Sequence, residues 1–118
     1  MSGISASVLL RSPFLVQDSA RVTTLLREVA SDLKETRKGR YWEFTINNRR
    51  GIFYVVDTDH PDWDFLDLLI EAGWDFDEEP AAIILSFFTR GDREWEICEE
   101  LPRRLAEVLG GITGPVEC

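Results

Sequence analysis

Histidine, methionine and cysteine are almost missing from this chain: its 118 residues include one His, one Met and two Cys. A single histidine, His60, leaves no pair for a metalloprotease helix, and no GxSxG elbow, HExxH run or phosphate-binding P-loop occurs. Cys98 and Cys118 lie outside any CxxC pair, so neither a disulfide framework nor a four-ligand zinc site can form. Cys98 sits in a half-buried pattern and reads as a buried thiol, which suits a reducing cytoplasm. No stretch approaches the roughly 18 uninterrupted apolar residues of a membrane span. Residues 1–14, MSGISASVLLRSPF, hold neither a basic n-region nor a long apolar h-region, so no secretory signal is expected. Nor does Gly directly follow Met1, as a myristoylation start requires. Linkers, repeats and low-complexity tracts are absent too. A single α+β domain over residues 1–118 is therefore expected, large enough to bury a core.

Basic residues are missing from one place in particular. Between Asp57 and Glu79 the sequence reads DTDHPDWDFLDLLIEAGWDFDEE, with ten acidic residues, two Trp, two Phe and no Lys or Arg. The whole chain has 22 acidic and 13 basic residues, a net charge of −9, so the remainder holds 12 acidic against 13 basic. The negative charge is local, and a local patch can select a partner where a uniform one mainly confers solubility.

The rest of the chain alternates strand and helix signals. Ile4, Ala6, Val8 and Leu10 recur with period two against Ser5 and Ser7, predicting a strand over Ile4 to Leu10 that Ser12-Pro13 ends. A helix is expected from Asp18, as N-cap, to about Thr36, with Val22, Leu25, Leu26, Val29 and Leu33 on its buried stripe and Gly39 as its stop. Trp42, Phe44 and Ile46 alternate with Tyr41, Glu43 and Thr45. Asn47-Asn48-Arg49-Arg50-Gly51 then turns the chain into a return strand over Ile52 to Val56. The acidic segment follows as a loop and a helix, with Pro61 in its first turn and Gly73 after its end. Phe65, Leu66 and Leu69 are assigned to its inner side, and Asp64, Asp67 and Glu71 to an exposed stripe. Ala81 to Phe88 is nearly all apolar and reads as a strand covered on both faces.

From Asp92 to Leu109 a helical spacing (Trp95, Cys98, Leu101, Leu105, Val108, Leu109) is interrupted by Pro102 and ended by Gly110-Gly111. A kinked helix is favoured over a strand from Glu94 to Glu99 followed by a short helix. The resulting order is β-α-β-β-α-β plus a C-terminal helix, a ferredoxin-like split βαβ with an antiparallel sheet. The last helix is expected over the other face or the edge.

The acidic segment supplies the candidate site. Asp59, Asp62 and Asp64 suit a helix start through its dipole, but Asp75, Asp77, Glu78 and Glu79 lie past the helix end, where acids gain nothing from it. Trp63 and Trp74 are expected to be partly exposed beside the carboxylates, as interface anchors. The expected partner-binding set is therefore Asp59, Asp62, Trp63, Asp64, Asp67, Glu71, Trp74, Asp75, Asp77 and Glu78. A calcium loop starting at Asp57 fails, because its fifth, sixth and twelfth positions are Pro61, Asp62 and Leu68. His60 reads as a loop residue rather than half of a Cys98–His60 pair. Lys34, Arg37, Lys38, Arg40, Arg49 and Arg50 form an opposite, basic cluster near one end of the sheet. Without an aromatic RNA-reading motif and at −9 overall, nucleic-acid binding is not expected. A charge dipole of this kind also favours a homodimer.

In size, in α+β pattern, in the DTDHPDWDFLDLL helix and in the RRLAEVLGG ending, the chain resembles small acidic immunity or antitoxin-type proteins of bacteria. The resemblance implies a non-enzymatic, stoichiometric inhibitor whose carboxylates occupy the basic groove of a protein partner, with no cofactor, nucleic acid or membrane involved. The alternatives are a small-ligand-binding or regulatory ferredoxin-like domain and, behind it, a carboxylate-based enzyme.

Overall fold

A computed structural model describes residues 3–36, 38–61, 63–74, 79–89 and 91–117 of the chain. Among these residues nine elements follow in order: β1 (Ile4–Leu10), α1 (Val16–Val29), β2 (Ser31–Thr36), β3 (Tyr41–Ile46), β4 (Arg49–Asp57), α2 (Leu66–Glu71), β5 (Ala81–Phe87), α3 (Asp92–Leu109) and β6 (Ile112–Thr113). The strands form one six-stranded sheet, β2-β3-β4-β5-β1-β6, with every neighbouring pair antiparallel. The expected α+β class and antiparallel sheet are present. The β-α-β-β-α-β order is not: β2 to β5 make a meander, and β1 closes it on the far side of β5. No described helix is long and apolar enough to cross a membrane.

The tight turn between β3 and β4 is shorter than the sequence predicts. Asn47 and Asn48 alone make it, both with positive φ (51° and 63°), the conformation a two-residue hairpin with the sheet's own twist requires. Arg49, Arg50 and Gly51 already belong to β4, with Gly51 opposite Phe44. A Cβ on Gly51 would lie 2.8 Å from Phe87 and 3.0 Å from Phe44. Its bare backbone makes room for the edge-to-face contact of those two rings, 6.3 Å apart.

The first helix is shorter as well. Asp18 is not its N-cap. It sits inside the first turn, and its Oδ2 accepts a hydrogen bond from the Leu15 N–H at 2.9 Å, satisfying one of the free amides at a helix start. The helix stops at Val29, and residues 31–36 form the edge strand β2. Pairing with β3 outweighs a local preference that Lys34, Glu35 and Thr36 do little to express for either state. Gly39 (φ 77°) and Lys38 (φ 57°) turn β2 into β3 rather than ending a helix. As an edge, β2 is protected by charged side chains and a register shift between Ser31 and Lys34, both features that discourage pairing with another chain.

One face of the sheet carries the main core. Val8, Trp42, Phe53, Ile83 and Leu85 meet Val22 and Leu26 of α1 and Cys98 and Leu105 of α3. Burying such side chains stabilises the fold by about 1.5–3 kcal/mol each. The chain runs as helix from Asp92 through buried Pro102 to Leu109, and Gly110 in the left-handed region (φ 72°) ends it. This helix lies beside α1 on the same face, where Arg104 of α3 reaches Glu28 of α1 at 3.2 Å. The sequence predicts it on the other face or the edge. That other face is covered instead by the acidic segment: Leu69 and Trp74 bury themselves on Leu9, Val56, Ala82 and Ile84. Strand β5 is apolar on both sides for this reason.

Candidate protein-binding surface

The acidic segment is fastened to the sheet at its start and through Leu69 and Trp74. At its start the Arg40 guanidinium donates from Nη2 to Asp57 Oδ2 at 2.7 Å. The chain then turns, with backbone bonds from the His60 N–H to the Asp57 carbonyl and from the Trp63 N–H to the His60 carbonyl, both 3.0 Å. Trp63 is half-buried and stands edge-to-face on Phe65, ring centres 5.3 Å apart. After α2, Gly73 adopts positive φ (73°), which lets Trp74 fold back so that its N–H reaches the Leu69 carbonyl at 3.2 Å. The Arg11 guanidinium lies 4.8 Å from the centre of the Trp74 ring, within cation–π range.

These contacts sort the expected site residues. Trp74 is 8 % exposed and is a core residue roofed by Arg11, so the expectation that it stands open to a partner is overturned. It fills the gap between α2 and β1, where a large ring has more apolar surface to cover than at the rim. Trp63 remains accessible in part. Asp59, Asp64, Asp67 and Glu71 are exposed, and none of them joins an ion pair among the described residues. Asp62, Asp75, Asp77 and Glu78 lie outside the described residues.

Helix α2 holds a feature the sequence reading missed. Leu66, assigned to the inner side, is 53 % exposed, and Ile70 is 57 % exposed. The expected helix is cut to the six residues of Leu66–Glu71, and Leu69 alone is its buried anchor. Leu66 and Ile70, four apart, form an outward apolar ridge beside Asp67 and Glu71, also four apart. Aliphatic and acidic side chains thus alternate on one small convex surface.

Next to this segment the described residues leave part of the sheet uncovered. A groove of about 400 Å³ has a floor of Ser5 and Ser7 from β1, Ser86 and Ile84 from β5, and Tyr54 from β4. Ser5 and Ser86 are direct cross-strand partners, as are Ser7 and Ile84. Asp64, Phe65 and Leu68 come from the acidic segment, and Pro115 and Glu117 from the C-terminal strap. Reciprocal 2.8 Å bonds between the Ser5 and Glu117 backbones hold that strap on the edge of β1. Gly114 approaches so closely that a Cβ there would collide with the Ser7 hydroxyl.

The basic residues do not form the single cluster the sequence predicts. Strand β3 separates Arg40 from Arg49 by roughly 20 Å at strand rise, and Arg37 lies outside the described residues. Arg49 donates from Nε to Glu94 Oε1 at 2.8 Å, while Arg50 lies 3.9 Å from Glu43. Glu94, only 3 % exposed, also accepts from Thr89 Oγ1 at 3.0 Å. Burial pushes its carboxyl up, but the Arg49 and Thr89 hydrogen bonds and the guanidinium charge outweigh it and hold the pKa below its ordinary 4.5. A second carboxylate, Glu35 of β2, accepts from Thr23 at 2.7 Å and Ser19 at 3.1 Å. Its pKa is lowered by the Thr23 hydrogen bond first, against burial, with help from Ser19, Trp42 and Arg27. The Trp42 indole donates to the same Thr23 hydroxyl at 3.0 Å. Both carboxylates stitch elements together on the helical side.

Cys98 and His60 do not meet. Cys98 is buried between α3 and the sheet, while the His60 ring lies on the opposite face, 6.5 Å from the Tyr54 ring. Among the described residues no three His, Cys, Asp or Glu side chains gather as a metal site would require. No protein-family model, curated protein or solved structure matches the chain.

Proposed function

We propose that this protein is a non-enzymatic binding module whose acidic segment, residues 57–79, engages a basic surface on a protein partner. The reading extends to a stoichiometric inhibitor of the immunity type, acting in the cytoplasm, where the Cys98 thiol stays reduced. One observation carries it: Leu66 and Ile70 stand exposed on α2 beside Asp67 and Glu71, whose carboxylates join no ion pair among the described residues. A short helix tied to the sheet by Leu69 gains no folding energy from two exposed aliphatics. Against a partner they supply the desolvated contact, and the surrounding acids supply attraction and orientation. Trp63, half-buried at the edge of the same segment, adds an aromatic border.

The test is reconstitution with a partner isolated by affinity capture and then purified. A 1:1 complex is expected, with an association rate that falls steeply as salt rises. Leu66→Ala with Ile70→Ala should speed dissociation about tenfold or more. An association rate indifferent to salt, or a complex indifferent to both substitutions, overturns the reading.

A further inference from the structure

We propose that the groove beside α2 receives an arginine side chain of the basic partner. This inference rests on the protein-binding reading above and names a subsite within it. The groove is bounded by two exposed carboxylates, Asp64 and Glu117, one from the acidic segment and one from the C-terminal strap, and no Lys or Arg is among the described residues that line it. Its floor carries the hydroxyls of Ser5, Ser7 and Ser86. Ser5 and Ser86 face each other across adjacent strands, so two of these hydroxyls are neighbours by construction. Phe65, itself held by the Trp63 ring, adds an aromatic wall.

A guanidinium matches this lining in charge, shape and hydrogen bonding. It is planar, permanently cationic and offers five N–H donors in a fixed fork, with no acceptor. Carboxylates and hydroxyl oxygens accept from it, and an aromatic ring takes its flat face. A lysine ammonium offers three donors from a point charge and stacks less well. The volume of about 400 Å³ exceeds what one side chain needs, leaving room for its aliphatic stem along Leu68 and Ile84. Two attachment modes then share one segment, with α2 presenting a convex apolar ridge and the groove accepting a cation next to it.

The experiment uses the intact protein and small probes: N-acetyl-arginine amide, its lysine counterpart, and the neutral isostere N-acetyl-citrulline amide. Backbone NMR shifts are followed during titration. Arginine is expected to move the amides of Ser5, Ser7, Tyr54 and Ser86 saturably, at least threefold more tightly than lysine and tenfold more tightly than citrulline. Asp64→Asn combined with Glu117→Gln should weaken arginine binding fivefold or more. Glu96→Gln with Glu100→Gln, an equal charge change on α3, should leave it unaltered. Equal binding of citrulline, measured on the unmodified protein, overturns the proposal whatever the variants do, and so does the absence of saturable shifts. Shifts confined to Asp67 and Glu71 overturn the groove and leave the α2 surface intact. Arginine binding in the groove alongside a partner complex insensitive to salt and to Leu66 and Ile70 would sink the broader reading alone.

Discussion

On one face of the sheet α1 and α3 seal the core, and Val8, Leu26, Phe53, Ile83, Leu85 and Leu105 are all at 0 % exposure. On the other face α2, Trp74 and the half-buried Trp63 and Phe65 close one end, and among the described residues Tyr54, Ser5 and Ser86 line a groove beyond it. The same strands build both faces, so period two sends alternate residues to opposite fates. In β5, Ile83, Leu85 and Phe87 enter the sealed side, while Ala82, Ile84 and Ser86 grow more exposed toward the open end. Stability is concentrated where layers are continuous. The proposed binding uses the side where this coverage stops, because a surface without a folding duty can meet a partner unchanged.

Substitutions on the two faces should therefore fail differently. Trp42→Ala, on the sealed face, should cost about 3–5 kcal/mol in denaturant unfolding, through its cavity and the lost indole bond to Thr23. Leu69→Ala, on the half-open face, should cost roughly 2–3 kcal/mol, the low end of the range for buried leucine. Its larger effect should be local: a helix of this length does not persist without docking, so amide exchange should rise across α2 well before global unfolding. Equal global losses, with α2 still protected, would show that the two faces share one cooperative core.

Between these in kind is Gly51→Ala, which inserts a methyl between Phe44 and Phe87 and should cost ~1–3 kcal/mol by overpacking. An unaffected unfolding midpoint would mean that the sealed face yields more than its burial implies.

A related loss at the end of the sealed face depends on pH. Glu94→Gln leaves Arg49 facing a neutral amide and should cost roughly 1–3 kcal/mol at neutral pH. The folded-state pKa of Glu94 lies below the ordinary 4.5, so the contribution is fully present above that value and disappears as pH falls through the folded pKa. Wild type and variant should therefore converge in stability on acidification below about pH 4.5. A difference constant down to pH 3 would show that the ionised pair contributes nothing special.

Much of this comparison is legible in the sequence where a local period has one solution. Tyr41 to Ile46 alternates cleanly, Ile4 to Leu10 does so until Leu9, and the spacing from Trp95 to Leu109 continues through Pro102. Reading fails where a long-range partner decides. Leu33 satisfies both a helical stripe and a strand position, and only β3 settles it. Glu94 looks like one acid among many, because its partner Arg49 lies 45 residues away in sequence. Leu66 satisfies the inner stripe of a long helix but not of one shortened to six residues. Trp74 reads as an interface residue because the cation that roofs it, Arg11, precedes it by most of the chain.

The smallest expected effect on folding gives the sharpest contrast with binding. Asp67→Lys combined with Glu71→Lys changes two exposed side chains four apart on α2. Each should alter unfolding free energy by less than ~0.5 kcal/mol, since neither joins an ion pair among the described residues. Replacing one like-charge pair by another leaves the repulsion along the helix nearly constant. The local field, by contrast, changes by four units of charge beside the Leu66–Ile70 ridge. Association with a basic partner should slow tenfold or more at low salt, and its salt dependence should flatten, because such charges act mainly on encounter. Stopped-flow association across a salt series, beside a denaturant titration, measures both quantities on the same variant. A large stability loss with an unchanged association rate would invert the assignment, making the open face a structural one.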